Sequence, residues 1–166
     1  MSYATLEVFH AVWKFESEST ARVMGALTDR SLGQKVGPDE RTLGRMAWHI
    51  AFTIPEMMAR TGLVLPHLPE KPPAKAAEIL AAYEATSAAL VAALASKWTD
   101  ATLALEDDMY GEKWTRGTTL MALVHHQIHH SGQMTVLMRQ AGLKVPGVYG
   151  PAREEWAARG APVPEV

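Results

Sequence analysis

The stretch LVHHQIHHSGQM, Leu123 to Met134, carries four of the chain's seven histidines within six positions, and its reading decides the fold. On a helix, at about 100° per residue, His126 and His130 lie roughly 40° apart, one turn above the other, with side-chain roots about 5–6 Å apart. Leu123, Gln133 and Leu137 fall within about 60° of His126, so the pair sits in the middle of the stripe that faces a bundle interior. His125 lies about 100° off that line and His129 about 60° off, which makes both flanking or exposed. Two imidazoles stacked in this way can close on one metal ion, because each ligand nitrogen has only to reach about 2.0–2.1 Å from a common point. Left without a ligand in an apolar interior, each imidazole would cost roughly 1–3 kcal/mol.

A third ligand has to come from a facing helix, since a bundle core collects side chains from several helices. His49, in MAWHIAF, is the best placed, with Met46, Phe52 and Thr53 around it on one face. Its bland reading is a core histidine hydrogen-bonded to a neighbour. His10, in EVFHAVW, and His67, in LPHLP, lack a spacing partner and read as structural. Met46, Met57, Met58, Met121, Met134 and Met138 read as core filler or interface.

Working outward, the helix that holds the histidines starts near Thr118 and runs to about Ala141, where Gly142 can supply a left-handed stop. A first helix spans about Tyr3 to Leu27, with Ser2 as its cap. Thr42 caps a second that reaches about Thr61, bent or loosened at Pro55. The proline-rich LVLPHLPEKPPAK is a long connection to a third helix over about Ala74 to Trp98, dense in alanine and leucine. TDATLALEDDMYGEKWTRG holds either a short strand pair or an irregular loop, with Glu106, Asp107 and Asp108 as a solvated acidic cluster. A short helix starts at Pro151. The pattern is all-α: an up-down four-helix bundle with a long crossover between helices two and three and a short C-terminal helix, forming a single domain over residues 1–166.

The bulk numbers narrow the partners. With 166 residues, 48% hydrophobic and 20% charged, the chain suits one compact domain, and a formal charge of −2 gives no footprint for a phosphate backbone. Nucleic acid is excluded on that ground. Cysteine is absent, so any thiol chemistry borrows its sulfur from outside. The N-terminal stretch lacks the pattern of a signal peptide, and the longest uninterrupted apolar run, AALVAALA, falls well short of the roughly 20 residues a membrane span needs. The cytoplasm is the expected compartment.

RTLGRMAWHIAF, LVHHQIHHSGQMTVLMRQAG with its H-x-x-H-H-x-G-Q spacing, and VPGVYGP together resemble the DinB-like family of metal-binding four-helix bundles, over nearly the whole chain. The resemblance implies that His49, His126 and His130 are the metal ligands, the same three that helical geometry selects. It also implies a homodimer and an enzyme acting on a small molecule. Where many members carry arginine after the second histidine pair, this chain has Ser131; Gln133 is kept and can orient a ligand. Met121, Val124 and Ile128 form an apolar patch on the back of the fourth helix, covered either by a second copy or by VPGVYGP.

Three neutral histidines leave a divalent ion with open positions, as in catalytic rather than structural sites. Zinc and nickel lead for this donor set, with iron and manganese next. The leading reading is a thiol-dependent transferase or isomerase, in which the ion activates a low-molecular-weight thiol, as the resemblance implies. Arg45 and Glu56 lie on nearly the same face as His49 and can line the mouth of the cavity. Metal-assisted hydrolysis is a second reading, weakened by the lack of a carboxylate base beside the pair. A non-catalytic stress-response scaffold, whose ion ties helices two and four together, is a third.

Overall fold

The computed structural model describes residues 2–165. Four helices carry the architecture: α1 (Leu6–Gly25), α2 (Leu43–Arg60), α3 (Ala76–Lys97) and α4 (Arg116–Gln140). A hairpin of β1 (Glu106–Met109) and β2 (Glu112–Thr115) leads into α4. Of the two alternatives left open for that stretch, the strand pair is the one that forms.

Caps set the helix starts. Thr42 accepts a hydrogen bond from the Arg45 amide at 3.0 Å, as expected for α2. The cap of α1 is Thr5 rather than Ser2, its Oγ1 accepting from Val8 N–H at 3.3 Å. The preceding residues are diverted instead: Tyr3 N–H donates to the Gly117 carbonyl at 3.2 Å, pinning the leading strand of chain to the first turn of α4. A Cβ on Gly117 would meet the Tyr3 oxygen at 2.3 Å, so only glycine allows this approach. α4 starts at Arg116, close to the expected Thr118, and Thr115 caps it, accepting from the Thr118 amide at 3.2 Å. Gly142 supplies the stop at φ 75°, and α2 continues as helix through Pro55.

Long-range bonds fix the helix directions. Leu6 N–H donates to Asp100 beyond the end of α3, and Ala76 N–H donates to Asp29 beyond the end of α1, so α1 and α3 are antiparallel. The Tyr3–Gly117 contact sets α4 parallel to α1, and Arg116, opening α4, donates to the Thr61 carbonyl closing α2, so α2 opposes α4. It follows that α2 and α3 run the same way. The chain goes up, down, down, up, and the connection between α2 and α3 is the expected crossover back along the bundle. Trp48 Nε1 donates to Pro69 O at 2.8 Å along this path.

α1 packs on α3 and α4, and α2 packs on the same two, so consecutive helices α1 and α2 sit across a diagonal. The core between them is built from Phe9, Trp13, Ile50, Ile54, Met58, Ile79, Leu90, Leu120, Leu123 and Met134, all essentially inaccessible. Buried polar groups are mostly paired: Trp13 Nε1 donates to Ser87 Oγ at 3.0 Å and Tyr83 OH to Gln127 Oε1 at 2.9 Å. α3 is long and apolar enough to cross a membrane by length and composition, yet its Ile79, Tyr83, Leu90 and Leu94 are seated in this core.

Three expectations change in the connecting segments. Asp107 is not a solvated charge: it sits on β1 and pairs with Arg116 at 2.9 Å, bracing the hairpin against the start of α4. The short helix expected from Pro151 is replaced by two 3₁₀ turns, Arg153–Glu155 and Ala157–Arg159. The Glu155 carboxylate accepts from the amides of Gly147 and Ala152, at 2.9 and 3.0 Å, folding this segment onto itself. On the back of α4, Val124 is buried in the core, and Ile128 shares a small pocket with Val148 and Tyr149. VPGVYGP therefore covers part of that patch.

Candidate metal centre

His49 lies midway along α2, and His126 and His130 lie one turn apart on α4 where the two helices face each other. Their ring nitrogens converge. His126 Nε2 lies 3.0 Å from His49 Nε2 and 3.1 Å from His130 Nε2, and the ligand atoms of all three fall within 4.8 Å of one another. Each close pair is nearer than two metal–nitrogen bonds of about 2.0–2.1 Å laid end to end, so one ion can reach both. The rings meet edge to face, with centroids 4.4–4.8 Å apart.

Gln133 prepares one of these nitrogens. Its Oε1 lies 2.7 Å from His130 Nδ1 and accepts that proton, which leaves Nε2 as the bare lone pair turned to the other two rings. Burial pushes His49 and His126 down to about 4, each helped by the neighbouring imidazoles and by the Arg41 guanidinium, with Arg45 adding to His49. Burial also lowers His130, against the upward pull of Gln133. All three rings are therefore neutral at pH 7, the form a metal requires. Three converging neutral imidazoles could hold a divalent ion.

His49 and His126 line an open cleft of about 580 Å³, and His130 lines a neighbouring depression of about 260 Å³. Arg45 and Glu56 line the cleft, as the spacing on α2 suggests, together with Phe52, Met57 and Thr53. Glu56 is fully engaged: Arg60 Nε donates to Oε1 at 2.9 Å and Tyr110 OH to Oε2 at 2.7 Å. The Arg60 guanidinium also stacks over the Tyr110 ring, 4.0 Å from its centroid. Burial and the Glu56 carboxylate push the Tyr110 phenol up to about 12, so it remains a donor.

His125 and His129 are exposed, and so is His67. His10 faces a different groove, between α1 and α3. Sequence reasoning missed Arg41, Tyr110 and Trp114, all on the cleft. Tyr110 and Gly111 form the two-residue hairpin turn, with φ 61° and 90°. Positive φ at both positions is what such a turn requires, but asparagine or aspartate is the usual first residue. The MYGE stretch offered only glycine as a turn signal.

Two facing helices that bring three imidazoles together beside an open cleft define a helical bundle with a candidate metal site. The chain matches the DinB family over residues 1–164 and belongs to that family. It is 43% identical over 166 residues to the Bacillus subtilis (strain 168) protein YrdA, covering 99% of each chain. A crystal structure of a DinB-like protein from Bacillus cereus ATCC 10987 superposes with a TM-score of 0.85 at 46% identity, covering 89% of this chain and 99% of that one. The DinB-like protein YjoA of Bacillus subtilis shares the fold at a TM-score of 0.67 and 17% identity, over 84% of this chain and 96% of that one.

Proposed function

We propose that the chain is a divalent-metal-dependent enzyme of thiol chemistry, in which His49, His126 and His130 hold the ion and a low-molecular-weight thiol is passed to an electrophile. One observation carries this reading: three imidazoles converge within 4.8 Å of one another, and two of them, His49 and His126, line a cleft open to small molecules. A saturated structural site would have a fourth protein ligand there. When bound, a divalent ion, zinc or nickel first, supplies the acidity that makes a thiol a thiolate near neutral pH.

The chain's own residues do the rest. Gln133 holds the His130 ring in one tautomer and orientation. Phe52, Met57 and Trp114 give the cleft apolar walls that keep water from the reacting sulfur. With no cysteine in the chain, the sulfur arrives with the substrate. That sulfur forms the new carbon–sulfur bond, the leaving group departs with the bonding pair, and the thiol proton passes to solvent. Hydrolysis fits less well, because Glu56, the one carboxylate on the cleft, is already held by Arg60 and Tyr110. The same proposal includes a cytoplasmic homodimer, which sedimentation of the purified protein tests.

The decisive assay combines zinc- or nickel-loaded protein with 2-mercaptoethanol and 1-chloro-2,4-dinitrobenzene. Metal-dependent conjugation that disappears in His126→Ala is expected. Full metal occupancy with conjugation at the background rate would instead leave a scaffold whose ion ties α2 to α4.

A further inference from the structure

The charges around the cleft do not balance. Its lining contains two guanidinium groups, Arg41 and Arg45, and one carboxylate, Glu56. Glu56 is compensated from outside the cleft by Arg60 and capped by the Tyr110 hydroxyl. Arg45 donates from Nη1 to the Glu70 carbonyl at 3.0 Å, a neutral acceptor that steadies the side chain and leaves its charge unopposed. Arg41 makes no hydrogen bond or ion pair among the described residues, although Glu40 is its chain neighbour. The imidazoles are neutral ligands, so a divalent ion between them would keep its full charge.

Position adds to charge. Arg41 lines both the main cleft and a second depression of about 260 Å³ that His130, Gln133 and Met46 share. It therefore stands between two openings onto the same histidine cluster. Arg41 precedes the Thr42 cap and Arg45 is in the first turn of α2, so the positive end of that helix reinforces both. A planar guanidinium fork matches a carboxylate in two parallel hydrogen bonds, and a cleft walled by Phe52, Met57 and Trp114 screens that attraction less than open water does.

We infer that Arg41, assisted by Arg45, binds the carboxylate of a small anionic substrate whose other end reaches the histidine cluster. The sulfur end of this substrate rests on the proposed thiol chemistry; the carboxylate end rests on the arginines alone.

The test uses cobalt-loaded protein titrated with 3-mercaptopropionate and with 3-mercapto-1-propanol, thiols of equal length that differ in terminal charge. The thiolate-to-cobalt absorption band and tryptophan fluorescence, with Trp114 on the cleft wall, report binding. At low salt the acid binds at least about tenfold tighter than the alcohol. Arg41→Gln removes that preference while cobalt content stays at the wild-type level, and Arg41→Lys restores part of it. Equal affinities in the wild type, or a preference that survives replacement of both arginines by glutamine, overturns the inference. If neither thiol gives a band at full cobalt occupancy, the thiol reading fails and fluorescence titration with glutarate against 1,5-pentanediol decides the anion site. Tighter glutarate binding supports the site; equal binding ends it.

Discussion

Of two hollows on the flanks of this bundle, the larger is the less informative. The groove between α1 and α3, about 830 Å³, exceeds the α2–α4 cleft at about 580 Å³. Both contain histidine. In the α1–α3 groove, His10 stands alone among Trp13, Tyr83 and the small Ala88, Ala92 and Ala95, with its Nδ1 buried and unpartnered. Beside the α2–α4 cleft three imidazoles meet within 4.8 Å, and one of them, His130, is oriented by a glutamine. Volume follows from small side chains on α3, whereas chemistry follows from convergence. A lone imidazole has no partner with which to share an ion.

The comparison breaks most visibly at the metal. His126→Ala should take bound zinc from one equivalent to near zero by elemental analysis of untagged protein, while His10→Ala leaves it unchanged. Equal zinc in wild type and His126→Ala would dissolve the distinction between the two hollows. Gln133→Ala keeps the three ligands but frees the His130 ring, and zinc affinity is expected to fall about 10- to 100-fold in chelator competition.

The α1–α3 side should answer through stability instead. Tyr83→Phe removes the hydroxyl that pairs with the buried Gln127, at an expected cost of about 1–3 kcal/mol in urea unfolding with zinc binding unaffected. The pH dependence of the metal-free protein is a further test. His49 and His126 sit near 4 when folded against 6.5 as free imidazoles. Above pH 6.5 both states are neutral and stability is complete. As pH falls from 6.5 towards 4, the unfolded chain takes up protons that the folded one refuses, so stability declines and then levels. A variant with both histidines replaced by alanine should show a flatter urea midpoint between pH 7.5 and 5.

Much of the α2–α4 face is legible in the chain because it depends on local periodicity. The i, i+4 spacing of His126 and His130 and the place of His49 on its own helix bring the rings together once two helices face each other. Gln133, one turn along, is legible for the same reason. What escapes is whatever depends on contacts outside a helix's own repeat. Ser2 loses the cap of α1 to Thr5 because Tyr3 is drawn to Gly117, 114 residues away. Asp107 is called into a hairpin brace by Arg116, and the expected C-terminal helix yields to 3₁₀ turns because Glu155 finds backbone amides nearby. Tyr110 reaches the cleft only because the hairpin folds over α2, where Glu56 receives its hydroxyl. Arg41 sits just outside the helical pattern, so periodicity gave it no face.

The claim on which the account rests is that one ion sits among three rings from two helices. Anomalous diffraction from a crystal grown with one equivalent of zinc tests it directly. A single strong peak about 2.0–2.1 Å from the Nε2 atoms of His49, His126 and His130 is expected. No peak there, or a peak beside His10 or the exposed His67, His125 or His129, would contradict it.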